Sequence, residues 1–284
     1  MQHDWATPTP LQYFAVLVQS DDDLPLLEAA ASLAQDDWPE LDVQQVLADV
    51  DQLAARLQRQ VSGQAPVFDR LSALGQFFFG ELGFAGNAND YYAVENSYLH
   101  RVLHTRRGIP ISLAVLWLEL ARSIELAVDG VSFPGHFLVQ AHLDEGRVVI
   151  DPFTGQSLSQ GELRERLDEW TRPASGPGFA QELPLTLFLE GATPRQILAR
   201  MLGNLKHIHH SAQDWQRAVA VQDRLITLLP RAWDEYRERG LALAELGELQ
   251  RARADLAVYL RQADQAPDRD HIAERLRALG GDLI

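Results

Sequence analysis

The sequence predicts an α+β domain with helices at its N-terminal end, followed by an all-α region. Three observations predict this order. Apolar residues recur at helical spacing through residues 11–60. Within residues 110–151, a long apolar helix precedes three short runs of strand-forming residues. Residues 192–284 carry helical patterns and an internal repeat.

These patterns divide the chain into three parts. Residues 1–60 form an N-terminal helical segment, residues 61–175 a mixed core, and residues 192–284 a helical domain. A Pro/Gly-rich stretch at residues 171–178 shows no periodicity. We expect a linker or a long surface loop there.

The core helix is predicted to begin at Pro110, because proline is tolerated in the first turn of a helix. Its buried face should carry Leu113, Leu116, Leu120 and Ile124. Strand candidates follow at residues 127–133, 137–142 and 148–151. A helix followed by an antiparallel meander is therefore the expected local architecture.

The helical end repeats itself with a period of 34 residues, which separates Ala218 from Ala252. Gly240 lies where a small residue lets two helices approach closely, and Pro230 lies where a repeat ends. This period is that of tetratricopeptide helical hairpins.

Composition excludes several classes of site. The chain has no cysteine, which rules out disulfides, thiolate metal sites and a thiol nucleophile within it. No signal peptide is visible, and the longest apolar run, residues 109–118, is far shorter than the roughly 20 residues of a membrane helix. We expect a soluble, cytoplasmic protein.

Charge is unevenly distributed along the chain. The net charge is −15, and residues 1–191 hold 11 Lys and Arg against 27 Asp and Glu, whereas residues 192–284 hold 14 against 13. Nucleic-acid affinity depends largely on Lys and Arg that neutralise phosphates. Nucleic acids and anionic membranes are therefore not expected as partners.

Three short segments run in the order of a transglutaminase-like core: RRGIPISLA at 106–114, GVSFPGHF at 130–137 and IDPF at 150–153. In that superfamily a cysteine opens the central helix, a histidine lies on the next strand and an aspartate on the one after. The resemblance implies catalytic positions at His136 and Asp151. Pro110 stands where the cysteine would be, and proline cannot act as a nucleophile.

Ser112 is the obvious substitute nucleophile. It lies two residues beyond Pro110 on a helix that turns about 100° per residue, so its side chain should point about 200° away from that of Pro110. Replacement of the cysteine by Ser112 therefore requires an irregular start of the helix.

A longer block, residues 77–121 (FFFGELGFAGNANDYYAVENSYLHRVLHTRRGIPISLAVLWLELA), closely resembles the signature of the SirB family, and the resemblance continues through ERGLALAELG and DLAVYL. It covers roughly residues 25–284. The family implies a papain/transglutaminase-like core followed by tetratricopeptide hairpins, with a poorly defined activity.

Polar residues in front of the core helix are candidates for lining a binding cleft. With Pro110, these are Glu81, Asn87, Asp90, Tyr92, Asn96 and Arg107. The alternative is a hydrogen-bonded loop that supports the domain. For Arg106 and Arg107, we expect ion pairs with Asp90 or Glu95, or else the attraction of an acidic ligand group.

A histidine cluster at His207, His209 and His210 resembles a metal site. Only His207 and His210 share a helix face, and no carboxylate lies one turn away. We expect a solvated helix face, no metal and no cofactor.

Two functions remain open at this point. A binding module would hold a peptide or protein partner in the papain-like cleft, with the helical hairpins as a second surface. A hydrolase or acyl transferase would use His136 and Asp151 to activate Ser112, a ligand hydroxyl or water. The oligomeric state is left open by the sequence.

Overall fold

The computed structural model describes residues 8–175 and 184–280. These residues form two compact units. A mixed unit contains Pro25–Ala34 and Leu41–Ile197, and a helical unit contains the described parts of Met1–Leu24, Gln35–Glu40 and Leu198–Ile284. From the sequence we expect three parts, at residues 1–60, 61–175 and 192–284. That these parts fold independently stays a prediction.

In chain order, the α-helices are α1 (Pro10–Leu17), α2 (Leu26–Ser32), α3 (Val43–Gln60), α4 (Val67–Gly75), α5 (Leu99–Thr105), α6 (Pro110–Ser123), α7 (Gln160–Ser175), α8 (Pro194–Ser211), α9 (Trp215–Leu228), α10 (Trp233–Glu245), α11 (Leu249–Gln262) and α12 (Arg269–Ala278). The π-helical turn Gln76–Glu81 extends α4, and short 3-10 turns lie at Leu33–Asp36, Val94–Ser97 and Leu185–Phe188. No helix in the described ranges is long and apolar enough to span a membrane.

The strands are β1 (Ala85–Gly86), β2 (Arg107–Gly108), β3 (Val128–Val131), β4 (Leu138–Leu143), β5 (Gly146–Ile150), β6 (Ser157–Leu158) and β7 (Gly191–Ala192). Five of them form an antiparallel sheet in the order β6-β5-β4-β3-β7. The predicted meander corresponds to β3, β4 and β5. Strands β1 and β2 form a separate parallel pair.

Helix α6 begins at Pro110, as predicted, and the predicted apolar face is buried. Burial extends beyond that face, because Trp117 and Leu118 on other sides of the helix are fully buried as well. A helix that is apolar all round is surrounded by protein. Helix α6 is therefore the central element of the mixed unit.

The expected linker at residues 171–178 is wrong in its first part, because α7 continues through Ser175. Leu163 and Leu167 anchor α7 in a core cluster that also contains Val131 and Leu138 of the sheet. The packing of the helix outweighs the loop-forming composition of its last residues. Residues 176–178 lie outside the described ranges.

The helical unit contains the hairpins that the 34-residue period predicts. Ala218 on α9 and Ala252 on α11 are fully buried at equivalent positions. A Cβ atom added to Gly240 on α10 would lie 2.8 Å from Leu256 Cδ2 and 3.2 Å from the Ala252 carbonyl oxygen. The glycine thus permits the close helix approach expected from the sequence.

Candidate functional site

His136 and Asp151 lie at one end of the central strand pair. In the antiparallel pairing of β4 and β5, Val139 is opposite Ile150. His136 stands shortly before β4, and Asp151 directly follows β5, so the two side chains meet at the same edge of the sheet. Their side chains are in contact, with 2.8 Å between His136 Nε2 and Asp151 Oδ1.

The Asp151 carboxylate is almost completely buried, with 2% of its side chain exposed, and it accepts three hydrogen bonds. Oδ1 accepts from His136 Nε2 and from the Phe153 backbone N–H at 2.9 Å, and Oδ2 accepts from Arg166 Nη1 at 3.0 Å. Burial alone would raise the pKa of Asp151. The contacts with His136, the Phe153 amide and Arg166 outweigh burial and lower that pKa below its usual value.

Arg166 is a site residue that the sequence reasoning missed. It lies on α7, 15 positions beyond Asp151, and its side chain is 35% exposed. The signal that could have found it is a basic residue on the amphipathic helix that directly follows the Asp-Pro-Phe segment. Arg166 positions the carboxylate from the side opposite His136 Nε2.

The imidazole of His136 remains partly accessible, with 24% of its side chain exposed. Because the ionised carboxylate is an acceptor, Nε2 carries the hydrogen, and when the ring is neutral Nδ1 has the free lone pair. No hydrogen bond to Nδ1 is formed by the described residues. This atom can accept a hydrogen bond from a ligand or take a proton from water.

Aromatic side chains lie next to residues that adjoin the dyad in the sequence. The ring of Phe153, two residues after Asp151, lies 5.9 Å from that of Tyr91, which lies 5.3 Å from Tyr92. Tyr92 is 71% exposed and Trp170 on α7 is 57% exposed. Trp170 packs over Gly135, since a Cβ atom at Gly135 would lie 2.7 Å from Trp170 Cδ1. Tyr92 was a predicted cleft residue, whereas Trp170 was missed.

The loop at residues 87–96 holds itself together by hydrogen bonds. Asn87 Nδ2 donates to Asn96 Oδ1, and Asn96 Nδ2 donates to the carbonyl oxygens of Asp90 and Tyr91. Asn96 is buried. These contacts support the alternative in which Asn87, Asp90 and Asn96 shape the loop that presents the tyrosines. Their role in ligand binding stays a prediction.

Two predicted cleft residues, Glu81 and Arg107, form hydrogen bonds with residues other than His136 and Asp151. The Glu81 carboxylate accepts from Arg56 at 2.6 Å and from Gln60 at 2.9 Å. Arg107 Nη1 donates to the carbonyl oxygens of Gly83 and Arg106. Neither side chain hydrogen-bonds to His136 or to the loop at residues 87–96. Their role in lining a cleft stays a prediction.

The expected ion pairs of Arg106 and Arg107 with Asp90 or Glu95 do not form among the residues that the structure describes. Arg107 bonds to backbone carbonyls, as above, and Arg106 lies over the Phe84 ring at 4.6 Å. Arg106 is the C-terminal cap of α5 in the left-handed conformation. Both arginines are thus held by contacts other than the expected ion pairs.

Ser112 is fully buried at the start of α6. Its hydroxyl donates to the Asn96 carbonyl oxygen at 2.6 Å or the Ile109 carbonyl oxygen at 3.0 Å, and it accepts from Ile109 N–H at 3.2 Å. Helix α6 starts regularly with Pro110 in its first turn. The hydroxyl therefore joins the helix start to the preceding loop and makes no hydrogen bond to His136.

The sequence predicts that the histidines of α8 lie on a solvated helix face, but one of the three is buried. His209 is buried, and burial lowers its pKa, whereas His207 is exposed. His210 lies edge-on to Trp215, with ring centroids 5.5 Å apart. The described residues contain no group of three or more His, Cys, Asp or Glu side chains that could hold a metal ion.

Two protein families match the chain in succession. Residues 44–203 match the transglutaminase-like superfamily, and residues 205–277 match the tetratricopeptide repeat. The first match contains His136, Asp151 and Arg166. The second covers the helices in which the 34-residue period was found.

Curated relatives match over nearly their whole length. A UPF0162 protein of Xylella fastidiosa strain 9a5c is 37% identical, with 93% of each chain covered. A UPF0162 protein of Pseudomonas aeruginosa is 29% identical, with 89% of this chain and 90% of the relative covered. Protein SirB1 of Salmonella typhimurium is 26% identical, with 88% of each covered.

Proposed function

The chain belongs to the transglutaminase-like superfamily, in the family of the UPF0162 and SirB1 proteins, and from this premise we propose that its mixed unit is a non-catalytic module that binds a peptide or protein segment. The segment would lie across the His136–Asp151 edge of the sheet. The tetratricopeptide unit would provide a second protein-binding surface.

The missing nucleophile is the observation that carries this proposal. None of the 284 residues is cysteine. Pro110 opens α6 at the position where the resemblance expects the cysteine, and it has no group that can attack a carbonyl carbon. The Ser112 hydroxyl is buried and hydrogen-bonded to backbone. His136 and Asp151 therefore lack the partner that covalent catalysis in this superfamily requires.

The aromatic side chains support the binding of a peptide segment. Tyrosine and tryptophan are enriched at protein interfaces and dominate their binding energy. Tyr92 and Trp170 are large and mostly exposed. Trp170 lies beside Gly135, which precedes His136, and Tyr92 contacts Tyr91, whose ring lies near Phe153. A bound segment would cover both rings and bring a backbone N–H or hydroxyl to His136 Nδ1.

The test replaces the aromatic residues in the full chain. A photoreactive phenylalanine analogue at position 92 would crosslink the partner in a cell lysate, and mass spectrometry would identify the crosslinked segment for synthesis as a peptide. Trp170→Ala should weaken binding of this peptide by about 2 kcal/mol, or roughly 30-fold, as expected for a buried aromatic anchor. Phe68→Ala is the matched control, because Phe68 is 62% exposed on α4 and makes none of the contacts of the site.

Equal binding by the wild type and by Trp170→Ala and Tyr92→Ala would contradict the proposed surface. Loss of binding in Phe68→Ala to the same extent would show a non-specific hydrophobic effect. Circular dichroism of each variant checks that the fold is retained.

A second candidate is a hydrolase or acyl transferase, which the geometry of the dyad favours. A buried carboxylate orients His136 and leaves Nδ1 accessible, as a general base for water or a ligand hydroxyl requires. We expect no glutamine transamidation and no labelling by thiol reagents. Hydrolysis of ester or amide substrates that is lost in His136→Ala and kept in Ser112→Ala would replace the binding proposal with this mechanism. Loss in Ser112→Ala would instead require a rearranged helix start.

A protein partner also fits the electrostatics of the chain better than a polyanion. The net charge of −15 comes from residues 1–191, which hold the mixed core. Phosphate backbones and anionic lipid surfaces would be repelled by this charge. We therefore extend the proposal to protein or peptide ligands and not to nucleic acids or membranes.

A further inference from the structure

Two neighbouring tyrosines are exposed on the loop at residues 87–96. Tyr91 is 41% exposed and Tyr92 is 71% exposed. Their rings lie edge to face, with centroids 5.3 Å apart. The Tyr91 ring also lies 5.9 Å from that of Phe153, whose backbone N–H donates to Asp151. Exposed aromatic side chains that stand together, rather than singly, are typical of binding surfaces.

The backbone that carries these rings is fixed to the mixed unit. The Gly86 N–H donates to the Phe153 carbonyl oxygen at 2.8 Å, and a Cβ atom at Gly86 would overlap the Phe153 ring. At the other end of the loop, the buried Asn96 side chain donates to the carbonyl oxygens of Asp90 and Tyr91. A ligand would therefore meet a loop that is already ordered, and binding would lose little conformational entropy there.

The same loop carries two carboxylates, Asp90 and Glu95, and both residues are exposed. Within the described ranges neither carboxylate forms an ion pair, and both residues contribute only backbone groups to hydrogen bonds. Residues 82–100 contain no Lys or Arg. The cation nearest the dyad, Arg166, is compensated by Asp151 at 3.0 Å. The tyrosine rings thus share their loop with uncompensated negative charge.

We propose that this loop binds an arginine side chain of the partner segment, an inference that rests on the proposed peptide-binding function and makes that segment basic. A guanidinium group can stack on a tyrosine face, to which its positive charge is attracted. Its N–H edges then remain available to donate to Asp90 or Glu95. Lysine supplies the charge without the planar group, so it should bind more weakly at the same place.

Other ligand chemistries fit this surface less well. An acidic or phosphorylated segment would bring negative charge to a loop that already carries two carboxylates. It would also approach a region, residues 1–191, with 27 acidic against 11 basic residues. A purely apolar segment could cover the rings, but it would remove water from the carboxylates without replacing it by a donor. A cation is attracted by the rings and by the carboxylates together.

Nuclear magnetic resonance of the full chain with isotope-labelled tyrosine rings tests the proposal. The chain has six tyrosines, and Tyr→Phe variants assign the signals of Tyr91 and Tyr92. The probes are capped tripeptides of glycine, a central residue and glycine, with arginine, lysine or citrulline in the centre. Citrulline has the shape of arginine without its charge. We expect saturable shifts of both signals, with affinity highest for arginine, lower for lysine and at least about threefold lower than arginine for citrulline.

Substitutions separate the contribution of the charge from that of the ring. Asp90→Asn keeps the backbone groups that the loop uses, and it should weaken binding of the arginine peptide about two- to fivefold without affecting the citrulline peptide. Tyr92→Ala should also weaken binding about two- to fivefold, whereas Tyr92→Phe keeps the ring and most of the affinity. Asp69→Asn is the matched control, because Asp69 is exposed on α4 next to the exposed Phe68. It should leave the affinity unchanged.

Three results would overturn the proposal: equal affinity for the arginine and citrulline peptides, shifts confined to the other four tyrosines, or equal effects of Asp90→Asn and Asp69→Asn. The segment captured by crosslinking at position 92 separates this inference from the proposed function. A neutral or acidic segment that needs Trp170 but binds Asp90→Asn as tightly as the wild type would leave the function standing and refute the arginine site. An arginine peptide that binds as expected, together with a captured segment unaffected by Trp170→Ala and Tyr92→Ala, would support the arginine site and contradict the peptide surface.

Discussion

Replacement of Asp151 by asparagine tests the central contact of the candidate site. The asparagine Oδ1 can still accept from the Phe153 amide and from His136 Nε2, as the carboxylate Oδ1 does. Its Nδ2 would then face Arg166 Nη1, where two donors meet in place of a 3.0 Å charge-assisted bond. The variant therefore loses one buried ionic hydrogen bond and gains a repulsive contact.

The magnitude follows from these contacts. A hydrogen bond to a charged group contributes about 1.5–3 kcal/mol. Arg166 is 35% exposed and can recover part of its hydration, which places the expected loss near the middle of that range, at about 2 kcal/mol. Urea unfolding followed by tryptophan fluorescence and circular dichroism measures the change in the free energy of unfolding.

The sheet offers a matched control for this experiment. His142 Nε2 lies 2.6 Å from Asp129 Oδ2, but 45% and 41% of these side chains are exposed. An exposed pair contributes little, so Asp129→Asn should cost less than about 1 kcal/mol. If Asp151→Asn destabilises the protein no more than Asp129→Asn does, the reasoning about the buried carboxylate is wrong.

The effect of Asp151→Asn should also depend on pH. Because the contacts of Asp151 lower its pKa in the folded protein, its carboxylate stabilises the fold above the unfolded-state pKa of about 3.9. That stabilisation is lost as the pH falls through the lower folded-state pKa. The difference between wild type and variant should be full at neutral pH and shrink below about pH 4. A difference that grows on acidification would contradict this assignment.

Three further predictions concern the rest of the chain. Ser112→Ala should lower the free energy of unfolding by about 1–3 kcal/mol in urea titrations, because the Asn96 carbonyl loses its buried donor; an unchanged midpoint would argue against that bond. Gly240→Val should destabilise the helical unit by about 1–3 kcal/mol through overpacking against Leu256, and a thermal midpoint equal to that of the wild type would show that the helices can separate at no cost. The isolated segment 192–284 should fold as a helical unit, so a coil-like circular dichroism spectrum would contradict the predicted boundary.

Local patterns were sufficient to predict most of the helices and the meander. Helix α6 and strands β3, β4 and β5 follow from hydrophobic periodicity, which is a property of neighbouring residues. The end of α7 could not be predicted in this way. Pro173 and the glycines after it favour a loop, whereas the burial of Leu163 and Leu167 against the sheet favours the helix.

The sequence by itself determined the family, the order of the elements, the tetratricopeptide period and the absence of a cysteine nucleophile, because each of these depends on residue identity and spacing along the chain. Only the tertiary structure decided which side chains meet. Arg166 joins the dyad because α7 folds back along the sheet, and Trp170 reaches Gly135 for the same reason. Arg106 lies over the Phe84 ring and forms no ion pair with Asp90 or Glu95 among the described residues. These contacts join residues distant in sequence, and their energy depends on burial and geometry that no local pattern specifies.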